Sequence, residues 1–586
     1  MAENGKFGKA GMDNSSITNQ NVAEVLNEIA DLLEAKSVLF KPIAYRKAAR
    51  AILDLKEEIT EISSRGELEE ISGVGEHIAA KIQEFVTTGK LPYLERLRKE
   101  VPKELVELAA LEGIGPKRAL LLSRELGITD IHGLEEAAKK GRIRILPGFG
   151  EKSEQKLLQV IRLRQGVKGR FLLGDILPVA EDIARQLAAH SPAGRVIIGG
   201  SARRRKETIG DLDLLATSPE PEKVMEFFTS LPQVHRVIGK GPTRSTVMLG
   251  SGLQVDLRVV ADESYGAALQ YFTGSKDHNI ALRRRASLKN WRLNEYGLTD
   301  LADGHVIAGK EEEEVYKALG LALIPPELRE NRGEIEAAEG GTLPNLVGYD
   351  AVKGDLCVRS SWSTGSLPLM KMALAAQKMG YSYVAICDHV KGPGVPDGLT
   401  AEDIAAQQKE IEGINRVLEG FSVLSGVECS ITNDGKPDLP RRVLQDLDLV
   451  IAGIHTGFSQ TEKEMTRRIV NAIFEGSVDM IAHPTARVIG KRDPVQVDLP
   501  AVCSAAAASG VLLEIAACRS RLDLTDEGCR LAKERHVRFS LGTGARSEEE
   551  LADMQLGIAT ARRGWLEASD IVNTLPEKAL RAFLSG

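Results

Sequence analysis

The 586-residue sequence has few aromatic side chains, which make up 4% of the chain, and it has no long apolar run. A membrane span needs roughly 18 or more consecutive apolar residues, and no segment approaches that length. Residues 1–20 are polar and lack the apolar core of a secretory signal peptide. We therefore expect a cytoplasmic protein that does not contact a membrane.

Cysteine is also scarce. The six cysteines all lie beyond residue 356 and form no CxxC pair, so we expect reduced thiols in a core. The formal net charge of −7 gives no overall attraction for nucleic acid, but such binding depends on local basic patches. Residues 203–206 and 283–292 provide two of them. The length predicts about three to five domains.

The segment at residues 196–215, VIIGGSARRRKETIGDLDLL, predicts a phosphoryl-transfer site. An apolar strand ends at two glycines, Ser201 opens a basic turn, and a second strand carries Asp211 and Asp213. Because residues i and i+2 of a strand share a face, these carboxylates project together and repel each other unless a divalent cation lies between them. The turn and residues 203–206 offer N–H groups and cations to a nucleoside triphosphate.

A third acidic residue strengthens this interpretation. Asp256 lies within LQVDLRVV, a predicted strand in which an unpaired acid costs free energy. Three carboxylates on adjacent strands suit a two-metal displacement, in which one cation activates the attacking hydroxyl and the other stabilises the leaving pyrophosphate. The alternative for an isolated DLD sequence is a surface hairpin with a solvated basic loop.

A short glycine motif occurs three times in the N-terminal part of the chain. Each copy has the pattern hydrophobic-Gly-hydrophobic-Gly and opens a predicted helix, which is the logic of a helix-hairpin-helix turn that binds the DNA backbone without sequence preference. The third copy also fits a purely structural turn. The glycines are Gly73, Gly75, Gly113, Gly115, Gly148 and Gly150.

Residues 271–279 have the sequence YFTGSKDHN, and a basic helix is predicted to follow at residues 280–289. With the glycine turns and the three aspartates, this order of motifs resembles the X family of DNA polymerases in its bacterial form, which carries a C-terminal PHP domain. The resemblance spans nearly the whole chain. It implies a monomeric DNA-directed DNA polymerase that fills short gaps during repair, using gapped or primed DNA, deoxynucleoside triphosphates and two Mg²⁺ or Mn²⁺ ions.

The resemblance assigns roles by position. Asp211, Asp213 and Asp256 match the catalytic metal ligands. Arg205 departs from the pattern, because the family usually has glycine there, and this puts the local loop conformation in question. The residues that match DNA contacts are Arg283 and the six turn glycines, and the resemblance also implies that Na⁺ or K⁺ can bind at these turns. The residues that match nucleotide contacts are Gly200, Ser201, Arg204, Tyr271, Phe272, Gly274 and Asn279.

Lys81 matches the Schiff-base lysine that removes a 5′-deoxyribose phosphate in the vertebrate repair member, and Tyr45 matches its neighbour. A partly desolvated lysine beside phosphate-binding turns can lose its proton and attack an aldehyde. A second lysine of that pocket is replaced by His77 in this sequence. The alternative is that Lys81 only contacts a 5′-phosphate.

From about residue 348 the sequence resembles a PHP domain, a distorted α/β barrel that houses three metals, and the runs VAICDH, LVIAGIH, DMIAHP and VLLEIA predict buried parallel strands. Because arginine is always a cation, its presence at ligand positions predicts an empty metal centre. We expect a domain that folds but does not cleave DNA, as a spacer or a DNA-holding module. His389, Glu428, His455 and His483 remain as expected ligands, whereas Cys357, Arg359, Thr364, Gly544 and Arg546 occupy the other five positions.

The expected fold class is a multidomain α+β and α/β protein. Its parts are a helical lyase-like domain with one helix-hairpin-helix (residues 1–90), a helical DNA-binding domain with two such turns (91–165), a nucleotidyltransferase-type palm with a mixed sheet (166–262), a small thumb that binds the nascent base pair (263–335), a linker (336–347) and a distorted (β/α) barrel of PHP type (348–586).

Three other functions remain open. A PHP-dependent 3′–5′ exonuclease or phosphoesterase, with the polymerase module as a DNA-holding scaffold, would need ligands that are missing here. A DNA end-binding scaffold would gain nothing from three clustered acids. An RNA-tailing or antibiotic-modifying nucleotidyltransferase would share the acids but not the glycine turns and YFTGS.

Overall fold

The computed structural model describes residues 18–35, 41–53, 55, 57–100, 108, 114–164, 169–392, 394–395 and 397–585. The chain divides into two compact units, residues 1–164 and residues 165–586. Each helix within the described ranges is too short or too polar to cross a membrane.

The first unit is built from helices in its described residues. Apolar side chains repeat at helical spacing, and one face of the first helix buries Val22, Leu26 and Ile29. Two separate apolar cores form, one within residues 22–97 and one within residues 108–161. The helices are α1 (Asn19–Ala35), α2 (Lys41–Leu53), α3 (Ile59–Arg65), α4 (Glu76–Thr88), α5 (Pro92–Glu100), α6 (Gly115–Leu126), α7 (Ile131–Lys139) and α8 (Glu151–Arg164).

The second unit opens with a mixed sheet and its flanking helices. The elements are β1 (Phe171–Leu172), α9 (Leu173–His190), β2 (Val196–Ile198), α10 (Gly200–Arg203), β3 (Thr208–Ile209), β4 (Asp211–Thr217), α11 (Pro221–Ser230), β5 (Val234–Lys240), β6 (Arg244–Leu249) and β7 (Gln254–Val260). The sheet order is β2-β4-β7-β6-β5, with β4 parallel to β7 and the other neighbours antiparallel. Alternate residues of β7 are buried, namely Val255, Leu257 and Val259, which leaves Asp256 on the opposite face.

Residues 265–340 combine short helices with a small antiparallel sheet, ordered β10-β9-β8. The basic helix begins at Lys276 rather than at residue 280, because the Ser275 side chain caps it by accepting a hydrogen bond from the N–H of His278. The elements are α12 (Tyr265–Thr273), α13 (Lys276–Leu288), β8 (Trp291–Asn294), β9 (Gly297–Asp300), β10 (Val306–Ala308), α14 (Glu312–Ala318) and α15 (Glu334–Gly340).

The C-terminal part is a parallel seven-stranded sheet that curves into a nearly closed barrel. Its strands are β11 (Gly354–Val358), β12 (Tyr383–His389), β13 (Ser422–Ser430), β14 (Leu449–Gly453), β15 (Met480–Ile481), β16 (Leu512–Ala516) and β17 (Phe539–Gly542). Neighbours follow chain order, and Val358 bridges Ala545, which lies just after the last strand. The strands are buried along nearly their whole length, as the four apolar runs predicted.

Helices cover this barrel. They are α16 (Leu369–Lys378), α17 (Ala401–Asn415), α18 (Arg441–Leu444), α19 (Glu462–Phe474), α20 (Leu499–Ser509), α21 (Asp526–Lys533), α22 (Met554–Arg563) and α23 (Glu577–Leu584). The end of α22 lies against the loop that follows α10.

Candidate active site

The three predicted aspartates lie on adjacent strands of the mixed sheet. Asp211 and Asp213 share one face of β4, and Asp256 stands directly opposite Asp213 on the parallel neighbour β7. Asp211 is exposed, whereas Asp213 and Asp256 are partly buried. Residue spacing and strand register together bring the three carboxylates to the same face.

These carboxylates repel one another. Burial and the charges of Asp211 and Asp256 raise the pKa of Asp213 to about 7. Asp256 accepts hydrogen bonds from Thr246 Oγ1 and, over 2.7 Å, from Gln254 Nε2. A divalent cation between the carboxylates would relieve the repulsion, and their oxygens are the ligands that Mg²⁺ and Mn²⁺ prefer, so the residues fit such an ion.

A glycine lets the loop after β2 approach the acidic strand. Gly200 has a φ of 56°, and a Cβ placed on it would lie 2.0 Å from Asp213 Oδ2, so only glycine fits. The N–H of Gly199 donates to the carbonyl of Asp213 over 2.8 Å. The predicted basic turn is the single helical turn α10, which holds Ser201 beside the aspartates.

A cavity of about 480 Å³ opens at this loop. Arg204 borders it, donating from Nη1 to the carbonyl of Thr273 over 2.6 Å and from Nε to Glu330 Oε1 over 3.1 Å. These bonds join the loop to the last residue of α12 and to the segment between α14 and α15. The lining contains each residue matched to the nucleotide, two of the aspartates and one residue matched to DNA: Gly200, Ser201, Arg204, Asp211, Asp213, Tyr271, Phe272, Gly274, Asn279 and Arg283.

Two buried residues support this cavity and were not identified from the sequence. Gln270 Nε2 donates to Asn279 Oδ1 over 2.6 Å, and Asn279 Nδ2 donates to the carbonyl of Tyr271 over 2.7 Å. His278 Nδ1 lies 2.7 Å from Glu334 Oε1. A lone polar residue in the apolar run YGAALQYF could have identified Gln270, because a buried amide needs partners. His278 gives no such signal, since its partner is 56 positions away.

Two of the three glycine turns in the first unit are described in full. Gly73 and Gly148 have φ values of 89° and 81°, and α4 and α8 begin directly after Gly75 and Gly150. Each turn therefore precedes a helix N-terminus, where backbone N–H groups are available to a phosphate.

The remaining copy is only partly described. Gly113 lies outside the described residues, and Gly115 is the first residue of α6. Arg118 on α6 donates from Nη2 to the carbonyl of Gly148 over 2.7 Å and lies over the ring of Phe149. The Arg118 side chain therefore joins α6 to the third turn through one carbonyl of that turn.

The four predicted ligands of the barrel meet at one carboxylate. The Nε2 atoms of His455, His483 and His389 lie 2.8, 3.2 and 3.7 Å from Glu428 Oε1. Arg359 contacts the other oxygen of Glu428, and only 6% of the arginine side chain and 2% of the glutamate side chain are exposed. The guanidinium therefore supplies positive charge where a metal would supply it.

Burial and nearby charges, including that of Arg359, shift the pKa values of this cluster. Burial and the Arg359 charge lower the pKa of His389 to about 2, and burial lowers the pKa of His483 to about 4. Against the effect of burial, Arg359 holds the pKa of Glu428 well below its usual range. His389, Glu428 and His455 offer ligand atoms within 4.8 Å of one another, which suits a single ion. A guanidinium against Glu428 does not fit a three-metal centre.

The second arginine at a ligand position is exposed, and one additional acid is buried beside this cluster. Arg546 is exposed and donates from its backbone N–H to Glu550, so of the two arginines only Arg359 is buried at the centre. Glu514, which was not identified from the sequence, accepts a hydrogen bond from the N–H of His483 over 2.8 Å. Burial and the charge of Glu428 raise the pKa of Glu514 to about 8.

Comparison with known proteins identifies the family. Residues 268–330 match the DNA polymerase beta thumb, residues 17–91 a helix-hairpin-helix domain and residues 105–163 a SAM-like helix-hairpin-helix tandem. A Bacillus subtilis (strain 168) protein named DNA polymerase/3′–5′ exonuclease PolX is 37% identical, over 96% of this chain and 99% of its own length. The chain belongs to the family X DNA polymerases.

Two further relatives match parts of this family X chain. DNA polymerase lambda of Rattus norvegicus is 26% identical over 56% of this chain and 59% of its own length. A probable phosphatase of Shewanella sediminis (strain HAW-EB3) is 29% identical over 36% of this chain and 85% of its own length. The phosphatase match and the nearly closed parallel barrel agree with a PHP-type C-terminal domain, so the expected fold class is confirmed.

Lys81, matched to the lyase lysine of a family X repair enzyme, lies on α4. Its Nζ donates to the carbonyl of His77 over 2.9 Å and lies 4.9 Å from the ring centroid of Tyr93. Burial and the neighbouring charge of Lys41 lower the pKa of Lys81, which increases its neutral fraction. Burial and Tyr93 raise the pKa of Tyr45 to about 12. Tyr93 therefore adjoins both matched residues.

Arg205 stands where family X members usually have glycine, yet the backbone keeps the conformation that glycine adopts easily. Its φ is 56°, in the left-handed region. Its guanidinium carbon lies 5.8 Å from the ring centroid of Tyr349. The substitution therefore adds a cationic side chain at this point and leaves the left-handed turn in place.

Proposed function

We propose that this protein is a DNA-directed DNA polymerase that fills short gaps during DNA repair by two-metal nucleotidyl transfer. The observation that carries the proposal is the cavity of about 480 Å³ in which aspartates, a Gly-Ser loop and cationic side chains face one another. Family membership and the polymerase names of the relatives support the same activity. The proposed substrates are gapped or primed DNA and deoxynucleoside triphosphates, and the protein is proposed to act as a monomer.

The acidic face of the mixed sheet would hold the metals. Mg²⁺ or Mn²⁺ bound by Asp211, Asp213 and Asp256 would activate the primer hydroxyl and stabilise the pyrophosphate leaving group. The backbone N–H groups at Gly200 and Ser201 are proposed to donate to the triphosphate. The neighbouring Arg204 would add charge-assisted hydrogen bonds to the same phosphates.

The opposite wall is proposed to orient the sugar and the base pair. Tyr271 and Phe272 pack edge to face, with ring centroids 5.1 Å apart, and we assign them to the deoxyribose. Gly274 gives the turn beside them its positive φ of 67°. Asn279, fixed by Gln270, and the exposed Arg283 are assigned to the minor groove of the nascent pair and template.

The first unit supplies a second candidate activity. The lowered pKa of Lys81 supports 5′-deoxyribose phosphate lyase chemistry, because the neutral amine is the nucleophile that attacks the sugar aldehyde. The glycine turns are proposed to hold the DNA backbone and to bind Na⁺ or K⁺. We propose domain boundaries at residues 90, 165, 262, 335 and 347.

The barrel is proposed not to cleave DNA. The contact between Arg359 and Glu428 supports this proposal, because a guanidinium lies where the expected cations would bind. The competing proposal is a 3′–5′ exonuclease. It is favoured by the name of the Bacillus subtilis relative and by the grouping of His389, Glu428 and His455.

The polymerase proposal is tested by single-turnover primer extension on gapped DNA with wild type, Asp256→Ala and Asp262→Ala. Asp256→Ala is expected to lose incorporation and retain DNA binding, because its role is to hold metal. Asp262 is an exposed acid beyond the end of β7 and is not paired with Asp213 in the sheet as Asp256 is, so its variant should match wild type. A rate for Asp256→Ala within about tenfold of wild type, a change of only about 1.4 kcal/mol in the barrier, would contradict the assignment.

The two proposals for the barrel are separated with 5′-labelled single-stranded DNA and Mn²⁺. We expect no shortening by wild type or by Asp256→Ala. Stepwise shortening that persists in Asp256→Ala and disappears when His455→Ala is added would establish that the barrel cleaves DNA.

A further inference from the structure

The loop at residues 204–207 is contacted from outside the mixed sheet by the C-terminal barrel. Arg563, the last residue of α22, donates from Nη1 to the carbonyl of Arg204 over 2.8 Å and to Glu330 Oε1 over 3.1 Å. Its Nη2 donates to Asp526 Oδ2 over 2.7 Å. One barrel side chain therefore bonds both to the nucleotide loop and to the barrel itself.

The bonds around Arg563 are buried, and they lead to the cavity. Only 5% of the Arg563 side chain and 11% of the Glu330 side chain are exposed, so water competes little for these charge-assisted bonds. Glu330 Oε1 also accepts from Arg204 Nε over 3.1 Å. Arg204 is thus held at its carbonyl by Arg563 and at its guanidinium by a carboxylate that Arg563 also binds. The same guanidinium lines the cavity.

Two more contacts from the C-terminal part hold the following residues of the loop. Arg487 Nη2 donates to Glu207 Oε2 over 2.6 Å, and 9% of the Arg487 side chain is exposed. The Arg205 guanidinium lies over the ring of Tyr349. The loop is therefore contacted by the C-terminal part at three of its four residues, Arg204, Arg205 and Glu207.

The space between these contacts is open. A second cavity, of about 520 Å³, separates the loop from α21 and α22. Arg205, Lys206 and Glu207 lie on its loop side, and Asp526 and Arg563 lie on its barrel side. The loop is thus held by individual hydrogen bonds and ion pairs across a cavity, without continuous packing, and loss of one such bond leaves it room to move.

We propose that Arg563 is a positioning residue for the incoming nucleotide. Through the Arg204 carbonyl and Glu330 it fixes the guanidinium of Arg204 in the phosphate-binding position, so the barrel sets the affinity of the polymerase site for its triphosphate. This inference rests on the proposed function, and it gives the C-terminal domain a role in nucleotide binding that does not need metal in the barrel.

The test compares Arg563→Met with Arg519→Met in the full-length protein. Methionine keeps an unbranched apolar side chain but has no donors. Arg519 is the matched control, because it also joins the barrel to the sheet part, through Asp175 at 3.2 Å. It is paired within the barrel with Asp553 and does not bond to the loop. Steady-state incorporation on gapped DNA gives KM for the nucleotide and kcat, and binding of a nucleotide to the dideoxy-terminated complex gives its Kd.

Arg563→Met is expected to raise KM and Kd for the nucleotide about tenfold or more, with kcat and DNA affinity within about twofold of wild type. Arg519→Met should leave nucleotide KM unchanged while lowering the unfolding temperature. An unchanged KM in Arg563→Met, or an equal rise in both variants, would overturn the positioning role. Failure of wild type to incorporate nucleotide would instead overturn the proposed function.

Arg563→Lys keeps the proposal testable if the methionine variant unfolds. Lysine retains the charge but lacks the planar fork that reaches the Arg204 carbonyl, Glu330 and Asp526 together. An intermediate rise in nucleotide KM is expected. A lysine variant with the circular dichroism and the nucleotide KM of wild type would overturn the inference.

Discussion

Replacing Arg359 by methionine should destabilise the barrel strongly. Glu428 is buried, and its ionised carboxylate has Arg359 as its cationic partner. In the wild-type protein the imidazoles of His389 and His483 do not share that role at neutral pH, because the pKa of His389 lies at about 2 and that of His483 at about 4. Removing one partner of a buried ion pair costs about 3–5 kcal/mol, since the other charge stays buried and unpaired.

The assay is thermal and urea-induced unfolding of full-length protein, with Arg359→Met and Arg359→Met/Glu428→Gln compared with wild type. The double variant removes both charges and should recover most of the loss, because an uncharged buried cluster has no unpaired ion. A loss below about 1 kcal/mol in the single variant, or no recovery in the double variant, would refute the reasoning that this guanidinium compensates the carboxylate.

Arg359→His supplies a more direct comparison with a metal centre. It places an imidazole where the PHP pattern has one, beside His389, Glu428 and His455. In an Asp256→Ala background, Mn²⁺ should stabilise this variant and not the protein that keeps Arg359. Saturating metal at a hundred times its Kd would add about 2.7 kcal/mol. Equal Mn²⁺ stabilisation of both proteins would show that Arg359 does not exclude the ion.

Two further predictions concern protonation. In metal-free buffer Asp213→Asn should stabilise the second unit by roughly 4 kcal/mol at pH 8, because it removes a carboxylate that is costly to ionise in the folded state. The native pKa of about 7 lies about three units above the ordinary value of 3.8, and each unit is worth about 1.4 kcal/mol. The native carboxyl keeps its proton up to about pH 7, while the unfolded chain loses it near pH 3.8. The stability of the wild type therefore falls as the pH rises from about 4 to about 7. If wild type and Asp213→Asn differed in unfolding free energy by the same amount at about pH 4 and at about pH 8, this reasoning would be contradicted. Lys81→Ala should abolish the borohydride-trapped adduct with 5′-deoxyribose-phosphate DNA, whereas Lys90→Ala, on an exposed residue of the same unit, should not. Trapping by Lys81→Ala at the wild-type level would assign the adduct to another amine.

Short-range rules were enough to predict the acidic face of the mixed sheet. The spacing of Asp211 and Asp213 needs only strand geometry, and Asp256 stands out as an acid in an apolar strand. Strand pairing adds what local rules cannot supply. The register that sets Asp256 opposite Asp213 depends on β4 pairing with β7, although two other strands lie between them in the chain.

Contacts between distant segments were not predictable from one sequence. Arg203 donates to Glu312, 109 positions away, and Arg563 donates to the carbonyl of Arg204, 359 positions away. Nothing in the local pattern distinguishes these residues from solvated charges, because their partners are set by tertiary packing. The arginine at residue 359 was recognised in the sequence as a substitution of a metal ligand. Its contact with Glu428 was not predictable, because the folded barrel brings the two residues together.

Two arginines of the barrel can be used to distinguish two effects. One variant lowers the stability of the barrel, and the other removes the contact of the barrel with the nucleotide site. Arg359 lies against Glu428 inside the barrel, whereas Arg563 lies at the loop. Loss of Arg359 should disturb the loop only by unfolding the barrel that carries α22. Arg359→Met should therefore raise nucleotide KM only near its own unfolding transition, while Arg563→Met should raise it at every temperature. A raised KM in Arg359→Met well below that transition would mean that the charge at Glu428 influences the loop by another route.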